Sequence, residues 1–273
     1  HTYRCGLGRS SCPQTIGGAK GVTFLHRFFV NSKDIEDQQV WFSPAESRHI
    51  ERVLRLRGGD MVLVFDGSGW EYQVELLGRA SSGGMVGQIV GKEYLDREVP
   101  FKLSLVQGIA KGEKMDTIIQ KAVEVGIDSI HPLLTERTVV KLEGSKTKQR
   151  QERWQTISRQ ACKQCGRNRI PVVYPPTDLV SFLEQHQEQP VLMLYESEQD
   201  YTLRQVIRDH LLPCDKQPWY LLVGPEGGFS AAEVSLAQEK GAVPVGLGPR
   251  ILRTETAGLL AAGIILYELG DLG

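Results

Sequence analysis

Two glycine-rich turns stand where predicted β-strands end in the C-terminal half of the chain. The strand WYLLVG runs into GPEGGFS at 224–230, and the strand VPVGLG runs into GPRILRTETA at 248–257. A third strand, VLMLYE, ends at Glu196. In an open α/β sheet, ligands bind beyond the carboxyl ends of the strands, where glycines let backbone amides approach closely. One such turn is usually only a tight loop, but two after consecutive strands predict a ligand site.

The common nucleotide-binding motifs do not match these turns. GPEGGFS lacks the Lys and the spacing of a phosphate loop. Gly246-Leu247-Gly248 begins like a dinucleotide fingerprint, but Ile251 stands where the third glycine belongs. The pattern therefore disfavours a phosphate-loop NTPase and a Rossmann-type dinucleotide site.

The elements that must position these turns alternate between strand and helix from residue 101 onward. This alternation predicts an α/β fold with a parallel sheet covered by helices. The helix KMDTIIQKAVEVG carries apolar residues at helical spacing and is predicted to end at Gly126, and a second helical pattern through Trp154 and Ile157 is predicted to end at Gly166. Ser230 followed by Glu233 predicts a capping box for the penultimate helix.

Residues 25–95 are instead dominated by strand and turn signals, and 95–100 form the predicted linker. MVLVFDGSGWEYQVELLG predicts two strands around a turn, and a small β-barrel fits the whole region. One predicted helix starts at Pro44 after Ser43 and runs to Gly58-Gly59. This helix carries a basic face formed by Arg48, His49, Arg52, Arg55 and Arg57. The face could either be exposed to solvent or contact phosphates, and the sequence does not decide between the two.

The charges nearly cancel, yet they are unevenly distributed. The 273 residues contain 32 Lys plus Arg and 33 Asp plus Glu, which excludes a globally basic protein. Residues 137–170 nevertheless hold ten basic and two acidic residues. With +8 here, a total of -1 leaves -9 for the rest, and we interpret the basic stretch as a site for a polyanion. The longest uncharged apolar stretch, 257–267, is too short to span a membrane.

The cysteines and the N-terminal segment carry weaker signals. Five cysteines favour a reducing compartment, and the Cys162–Cys165 pair is interpreted as structural packing rather than as a metal or redox site. Residues 1–24 contain Arg4, Arg9 and Lys20 without any acid. They fit an organellar transit remnant, a cloning leader or a disordered tail, and we expect them to lie outside the fold.

The motifs together resemble the ribosomal small-subunit methyltransferase E family. LLVGPEGGFS with Glu233, and LGPRILRTETA, carry the resemblance most specifically. It continues through HRFFV, HIERVLRLRGGD, KGEKMDTIIQKAVEVGI, ERTVVK and QCGRNRIP, and covers roughly residues 25–270. Members are knotted methyltransferases of the SPOUT superfamily that methylate N3 of a uridine in small-subunit (16S) ribosomal RNA.

The resemblance implies a fold, a cofactor and an assembly. We expect a PUA-like RNA-binding β-barrel over 25–95 and a SPOUT methyltransferase domain over 101–273, whose parallel sheet is trefoil-knotted with helices on both faces. The family binds S-adenosyl-L-methionine, needs no metal and works as a homodimer. Carried onto this chain, the cofactor-binding positions are Leu194, Tyr195, Glu196, Val223, Gly224, Pro225, Gly227, Gly228, Leu247, Gly248, Ile251, Leu252, Arg253, Thr254 and Ala257.

The implied chemistry requires that the uridine N3 lose its proton before or during methyl transfer. Glu226 and Glu255 are the candidate bases, although either could instead cap a helix. The candidate stabilisers of the resulting anion are Arg167, Arg250 and Arg253.

RNA contacts are expected from basic and amide side chains in both halves. The predicted partner is small-subunit ribosomal RNA, within the assembled subunit, in a bacterial-type cytoplasm or, if residues 1–24 are a transit remnant, an organelle. A non-catalytic RNA-binding or ribosome-assembly factor with the same fold is the alternative. The expected RNA-binding residues are Arg27, Arg48, His49, Arg52, Arg55, Arg57, Lys111, Arg167, Asn168 and Arg169.

Overall fold

The computed structural model describes residues 25–81, 83–99, 101–139, 144–211 and 218–272. The expectations for residues 1–24 lie outside the described residues. The described chain forms two β-sheets, and helices cover both faces of the second. Nowhere in these ranges is a helix both long and apolar enough to cross a membrane.

The first sheet has six strands in the order β1-β4-β5-β6-β3-β2. β1 and β4 are parallel, and the other pairs are antiparallel. The predicted turn is present between β4 and β5. The inward side chains of the sheet, such as Phe28, Val62 and Val74, form a separate core. The strands are β1 (Arg27–Phe29), β2 (Ile35–Glu36), β3 (Gln39–Trp41), β4 (Met61–Phe65), β5 (Trp70–Arg79) and β6 (Met85–Tyr94).

The basic helix begins where predicted but is shorter. In α1 (Pro44–Arg48), the Ser43 hydroxyl accepts a hydrogen bond from the Glu46 amide at 3.3 Å. A π-helical turn, His49–Val53, continues it. The prediction that it reaches Gly58-Gly59 was wrong, because Arg55 adopts a left-handed backbone conformation with φ of 58°. Such a residue cannot continue a right-handed helix.

The second sheet is entirely parallel, in the order β10-β8-β7-β12-β11-β13 with β9 paired to β8. All carboxyl ends therefore meet at one edge, which we call the carboxyl edge; the opposite one is the amino edge. The strands are β7 (Leu103–Gly108), β8 (Ser129–Leu134), β9 (Val172–Val173), β10 (Thr177–Asp178), β11 (Val191–Leu194), β12 (Trp219–Val223) and β13 (Val243–Val245).

Helices pack on both faces of this sheet, which confirms the α/β prediction. Alternate residues of one strand enter different cores: Leu221 lies in the core with α2, α3 and α7, whereas Leu222 lies in the core with α4 and α6. The helices are α2 (Lys114–Val125), α3 (Ser145–Cys165), α4 (Leu179–Gln185), α5 (Leu203–Val206), α6 (Ala231–Glu239) and α7 (Thr254–Glu268).

The predicted helix boundaries are confirmed where capping residues set them. α2 ends at Gly126 and α3 at Gly166, both with positive φ. Ser230 and Glu233 form the predicted capping box of α6. The short strands β2, β9 and β10 and the helix α4 were not predicted. α4 begins where the Asp178 carboxylate accepts a hydrogen bond from the Ser181 amide at 2.9 Å.

Candidate active site

The structure brings the three predicted strand ends together at the carboxyl edge. β11 lies between β12 and β13, with Met193 opposite Leu222 and Leu194 opposite Val245. The Tyr195 amide donates a hydrogen bond to the Val245 carbonyl at 3.1 Å, so the pairing continues from β11 into the loop that follows it. The loops that the sequence singled out therefore border one site.

Glycines allow these loops to approach one another. The Gly246 amide donates to the Tyr201 carbonyl at 2.8 Å, and its carbonyl accepts from the Leu203 amide at 3.2 Å. A Cβ atom at Gly246 would overlap the Glu198 carbonyl oxygen, so the loop after β11 excludes any side chain there. A Cβ at Gly108 would likewise come within 2.5 Å of Pro225. The backbone of this edge is packed too closely for larger residues.

A buried glutamine fixes the start of α7 beneath this edge. Gln107, at the end of β7, is fully buried and donates to the Thr254 hydroxyl at 2.8 Å. The Thr254 hydroxyl in turn donates to the Gly224 carbonyl at 2.6 Å. These two hydrogen bonds thus link β7, α7 and the loop after β12. The sequence predictions missed Gln107, although an amide among the apolar residues of FKLSLVQGI was a usable signal.

Two carboxylates lie close to one lysine at the carboxyl edge. Lys114 Nζ lies 3.4 Å from Glu226 Oε1 and 3.6 Å from Glu255 Oε2. Glu226 Oε1 also accepts a hydrogen bond from the Lys111 amide at 3.0 Å. Burial raises the pKa of Glu226, but these hydrogen bonds and the Lys114 charge outweigh it and leave the pKa below its usual value. Lys114 is a further residue that the sequence predictions missed.

Glu255 is held differently from Glu226. Its Oε2 atom is buried and accepts no hydrogen bond, and its Oε1 atom faces Arg253 Nη1 at 4.0 Å. Arg253 itself is 83% exposed. Because Glu255 lies in the first turn of α7, beside Thr254, its position is fixed by the Gln107 link.

The other predicted cofactor positions divide into a buried floor and an exposed rim. The floor contains Leu194, Val223, Gly224, Pro225 and Thr254. Between floor and rim lie Tyr195, Gly228, Leu247, Leu252 and Ala257. The exposed rim consists of Glu196, Gly227, Gly248, Ile251 and Arg253, and the candidate anion stabiliser Arg250 is exposed beside them. Arg137 reaches this rim from the loop after β8 and donates to the Gly227 carbonyl at 2.7 Å.

The structure corrects the role predicted for Arg167. Its side chain is only 7% exposed and lies at the amino edge, where it donates to the carbonyls of Val123 and Ile127 at 2.9 and 2.8 Å. It also forms an ion pair with Glu98. A guanidinium so engaged at the far end of the sheet neither stabilises an anion at the carboxyl edge nor presents itself to RNA.

The predictions for Asn168 and Arg27 are corrected for the same reason. Asn168 is 1% exposed; it donates to the Leu95 carbonyl at 3.2 Å and accepts a hydrogen bond from Arg27. Arg27 also pairs with Glu71 at 2.9 Å and donates to the Cys162 carbonyl at 2.7 Å. Burial lowers the pKa of Arg27 despite the Glu71 partner. These residues join the two sheets.

The remaining predicted RNA-binding residues are exposed. Arg48, His49, Arg52, Arg55 and Arg57 lie on α1 and the turns after it, and Lys111 lies on the loop after β7. Arg55 and Arg57 also line a cavity of about 420 Å³ together with Glu51 and Arg79. Arg169 is exposed and donates to the Tyr94 hydroxyl at 2.8 Å.

Part of the basic stretch 137–170 is engaged within the fold. Acidic residues from elsewhere in the chain pair with four of its ten cations, which lowers the share of the +8 excess that is open to a polyanion. The pairs are Arg153 with Asp116, Lys163 with Glu46, Arg167 with Glu98, and Arg169 with Asp96. Cys162, in the same helix, is fully buried, and burial raises the pKa of its thiol to about 12.

Known proteins match this architecture along most of the chain. Residues 97–266 match the RNA methyltransferase domain family. The ribosomal RNA small subunit methyltransferase E of Bacillus subtilis is 32% identical over 252 residues, which cover 89% of this chain and 97% of that protein. The Synechocystis protein of the same name is 32% identical, over 92% of this chain and 80% of its own length.

Two solved structures are similar in three dimensions. A ribosomal RNA small subunit methyltransferase E from Neisseria gonorrhoeae, bound to S-adenosyl methionine, is 32% identical with a TM-score of 0.80; the match covers 92% of this chain and all of that one. A methyltransferase from Legionella pneumophila, in complex with S-adenosyl methionine, matches with a TM-score of 0.82 and 32% identity over 90% of this chain and 98% of its own. The chain therefore belongs to the ribosomal RNA small subunit methyltransferase E family.

Proposed function

We propose that this protein transfers a methyl group from S-adenosyl-L-methionine to N3 of a uridine in small-subunit ribosomal RNA. The observation that carries the proposal is the convergence of the loops after β11, β12 and β13 at one edge, with a carboxylate beside them. Its relatives by sequence carry the name of a small-subunit ribosomal RNA methyltransferase, and its structural relatives were solved with that cofactor.

The carboxyl edge fits this cofactor chemically. Adenine and methionine need apolar walls with backbone donors and acceptors, and the loops offer Leu194, Leu247 and Leu252 beside tightly packed glycines. We assign the cofactor to the floor and rim residues of the three loops: Leu194, Tyr195, Glu196, Val223, Gly224, Pro225, Gly227, Gly228, Leu247, Gly248, Ile251, Leu252, Arg253, Thr254 and Ala257. When bound, its sulfonium supplies an electrophilic methyl group, so the chain must supply the acid–base groups.

Among the candidate bases, the contacts favour Glu255. Glu226 is already engaged by the Lys111 amide and Lys114, which suits it to hold the loop after β12 against the loop after β7. Glu255 Oε2 also lies 3.6 Å from Lys114, but it accepts no hydrogen bond, and Oε1 is directed to the rim. We propose that Glu255 accepts the N3 proton, while Arg253 and Arg250 at the exposed rim stabilise the negative charge that develops on the uracil oxygens.

Paired substitutions test this assignment. Glu255→Gln keeps the size of the side chain but removes the base, and we expect the rate of methyl transfer to fall by about 10²- to 10⁴-fold with cofactor affinity unchanged. Glu226→Gln should instead weaken cofactor binding and thermal stability. Calorimetric titration with S-adenosyl-L-methionine and single-turnover methylation separate the two effects. A larger rate loss for Glu226→Gln than for Glu255→Gln would reverse the assignment.

For RNA binding we retain the exposed basic residues. Phosphate contacts by Arg48, Arg52, Arg55 and Arg57 would make the affinity depend on salt, with His49, Lys111 and Arg169 adding polar contacts. Replacing Arg52 and Arg55 by Ala should lower the slope of log affinity against log salt by about 1 for each phosphate that the variant no longer neutralises. An unchanged slope would place the RNA elsewhere.

The path of the chain supports the proposed trefoil knot. β13 lies at the outer side of β11, yet α7 begins beneath β7 and β12. Gly258 of α7 packs there, since a Cβ atom would lie 3.1 Å from Val223 and 3.3 Å from Leu105. The chain therefore crosses back over β11 and β12 before α7, and we propose that this crossing passes through an earlier loop. We assign the first sheet, residues 25–95, to the PUA-like barrel and residues 101–273 to the methyltransferase domain.

An apolar stripe on α7 supports the proposed homodimer. Leu260, Ile264 and Tyr267 are exposed at the spacing of one helical face. A second copy of this face would bury it in a self-complementary contact. Sedimentation should show a dimer that Ile264→Glu dissociates, and a wild-type monomer would refute the assembly.

The ribosomal RNA substrate would place the enzyme in the cytoplasm of a bacterial-type cell.

A further inference from the structure

Two aromatic side chains are exposed side by side at one end of the first sheet. Trp70 of β5 and Tyr94 of β6 are directly opposite each other, and they are 37% and 45% exposed. Their rings meet edge to face with centroids 5.4 Å apart. Large aromatic faces left open to solvent beside each other are typical of a binding surface.

The pair is held rigidly in place. Gly69 precedes Trp70 with φ of 101°, and a Cβ atom there would come within 2.7 Å of the Tyr94 ring. The Leu95 amide donates to the Gly69 carbonyl at 3.0 Å, which closes the backbone around the pair. Arg169, from the loop between α3 and β9, donates to the Tyr94 hydroxyl at 2.8 Å. The rings are therefore ordered before any ligand arrives, which limits the entropy cost of binding.

Cations accompany both rings. Lys92 Nζ lies 5.2 Å from the centre of the Trp70 ring, in the range of a cation–π contact. Arg169 is half exposed at the Tyr94 side, where Asp96 at 3.3 Å is its acidic partner. Lys92 forms no salt bridge within the ranges that the structure describes. The surface thus combines apolar ring faces with two cations, of which Arg169 has an acidic partner and Lys92 has none among the described residues.

We propose that Trp70 and Tyr94 form a stacking platform for an unpaired base of single-stranded RNA, with Lys92 and Arg169 at the flanking phosphates. Aromatic rings beside cations bind single-stranded nucleic acid in this way, because every base offers a π-face. The inference rests on the proposed RNA substrate and adds a second contact region to it. The arginines near α1 lie by Arg79 and Met85, at the other end of the ten-residue strands, about 30 Å away.

Trp41 provides a matched control on the same sheet. It is 40% exposed, close to the value for Trp70. Within the described residues, however, no cation lies over its ring and no aromatic ring packs against it. A general effect of removing an exposed tryptophan should therefore be equal for the two, whereas a stacking platform should distinguish them.

The experiment measures the affinity of the full chain for a short, unstructured, uridine-rich RNA by fluorescence anisotropy, without cofactor. Trp70→Ala should weaken binding by about 5- to 100-fold, and Trp70→Phe by much less, because the stacking face is kept. Trp41→Ala should leave the affinity within about twofold of wild type. Lys92→Gln, which leaves both rings in place, should weaken binding and lower its salt dependence.

Three results would overturn the platform. One is equal RNA affinity for Trp70→Ala and Trp41→Ala. Another is a loss of thermal stability in Trp70→Ala without a change in affinity, which would make the pair a structural cross-strand contact. The third is failure of the wild-type chain to bind this RNA. Methyl transfer is assayed separately, so a wild type that binds RNA through Trp70 but transfers no methyl group contradicts the proposed function and not the platform.

Discussion

The two edges of the second sheet use similar residues for opposite purposes. At the amino edge, Arg167 is buried, and its donors are satisfied by Glu98 and by backbone carbonyls. At the carboxyl edge, Arg253 is almost fully exposed and only approaches Glu255 at 4.0 Å. The acidic residues differ in the same way, since Glu98 accepts hydrogen bonds from Arg167 whereas Glu255 Oε2, 3.6 Å from Lys114, accepts none.

The difference shows that the partners of a charged group, rather than its type, separate a structural role from a functional one. A saturated ion pair stabilises one arrangement of the chain and leaves nothing to offer a ligand. The incompletely satisfied groups at the carboxyl edge are those available for chemistry. Changes at the two edges should therefore affect different measurements.

Removing the arginine of the amino edge should have the largest effect on stability. Arg167→Ala leaves Glu98 without its partner and the Ile127 carbonyl without a donor, which should lower the free energy of unfolding by about 3–5 kcal/mol. Arg153→Ala is the control, because that exposed pair with Asp116 should contribute less than about 1 kcal/mol. Denaturant unfolding measures both. Unchanged stability with weakened RNA binding would restore Arg167 to the RNA surface.

Acidic pH should destabilise the protein through a buried histidine in the second sheet. His131 of β8 is buried against Tyr174, and burial together with the nearby His186 lowers its pKa from 6.5 to about 4. The neutral form is favoured in the fold, so stability is complete above pH 6.5 and falls as the pH decreases towards 4. The full loss should be about 3 kcal/mol.

Unfolding measured across this pH range tests the assignment to His131. His131→Phe should flatten the dependence on pH, although His186, whose pKa burial also lowers, should retain part of it. A wild-type stability that is constant from pH 6.5 to 4 would contradict the prediction.

A methyl group added at the carboxyl edge should impair binding more than folding. In Gly246→Ala the new Cβ atom overlaps the Glu198 carbonyl, so the loops after β11 and β13 must separate. We expect about 1–3 kcal/mol of strain, which corresponds to roughly 10- to 100-fold weaker binding of S-adenosyl-L-methionine. In Gly91→Ala, the added atom makes only ordinary contacts with Gln73, and binding should not change. Wild-type cofactor affinity in Gly246→Ala would move the cofactor away from this edge.

Local signals in the sequence were sufficient to predict most of the second sheet and the loops at its carboxyl edge. Gly126 and Gly166 end helices because of their own backbone conformations, and Ser230 caps α6 with a residue three positions away. The strands were recognisable from apolar runs bounded by glycine turns. Since parallel strands share one carboxyl edge, the glycine loops could be placed together without coordinates.

Long-range partners were not predictable from these patterns. Glu98 and Arg167 are 69 residues apart, and the charge of an arginine does not reveal whether an acid will cover it. For the same reason the sequence did not show which cations of the stretch 137–170 pair with acids in other elements, as Arg153, Lys163 and Arg169 do. Lys114 was missed because its two carboxylates come from separate elements, the loop after β12 and the first turn of α7.

Identification of the methylated nucleoside tests the proposed activity. Small-subunit ribosomal RNA, free and within the subunit, is incubated with the purified protein and S-adenosyl-L-methionine, then digested and analysed by mass spectrometry. We predict one new 3-methyluridine with the wild-type protein and a strongly reduced yield with Glu255→Gln. A methyl group on another atom or base, or no methylation of either RNA, would contradict the proposal.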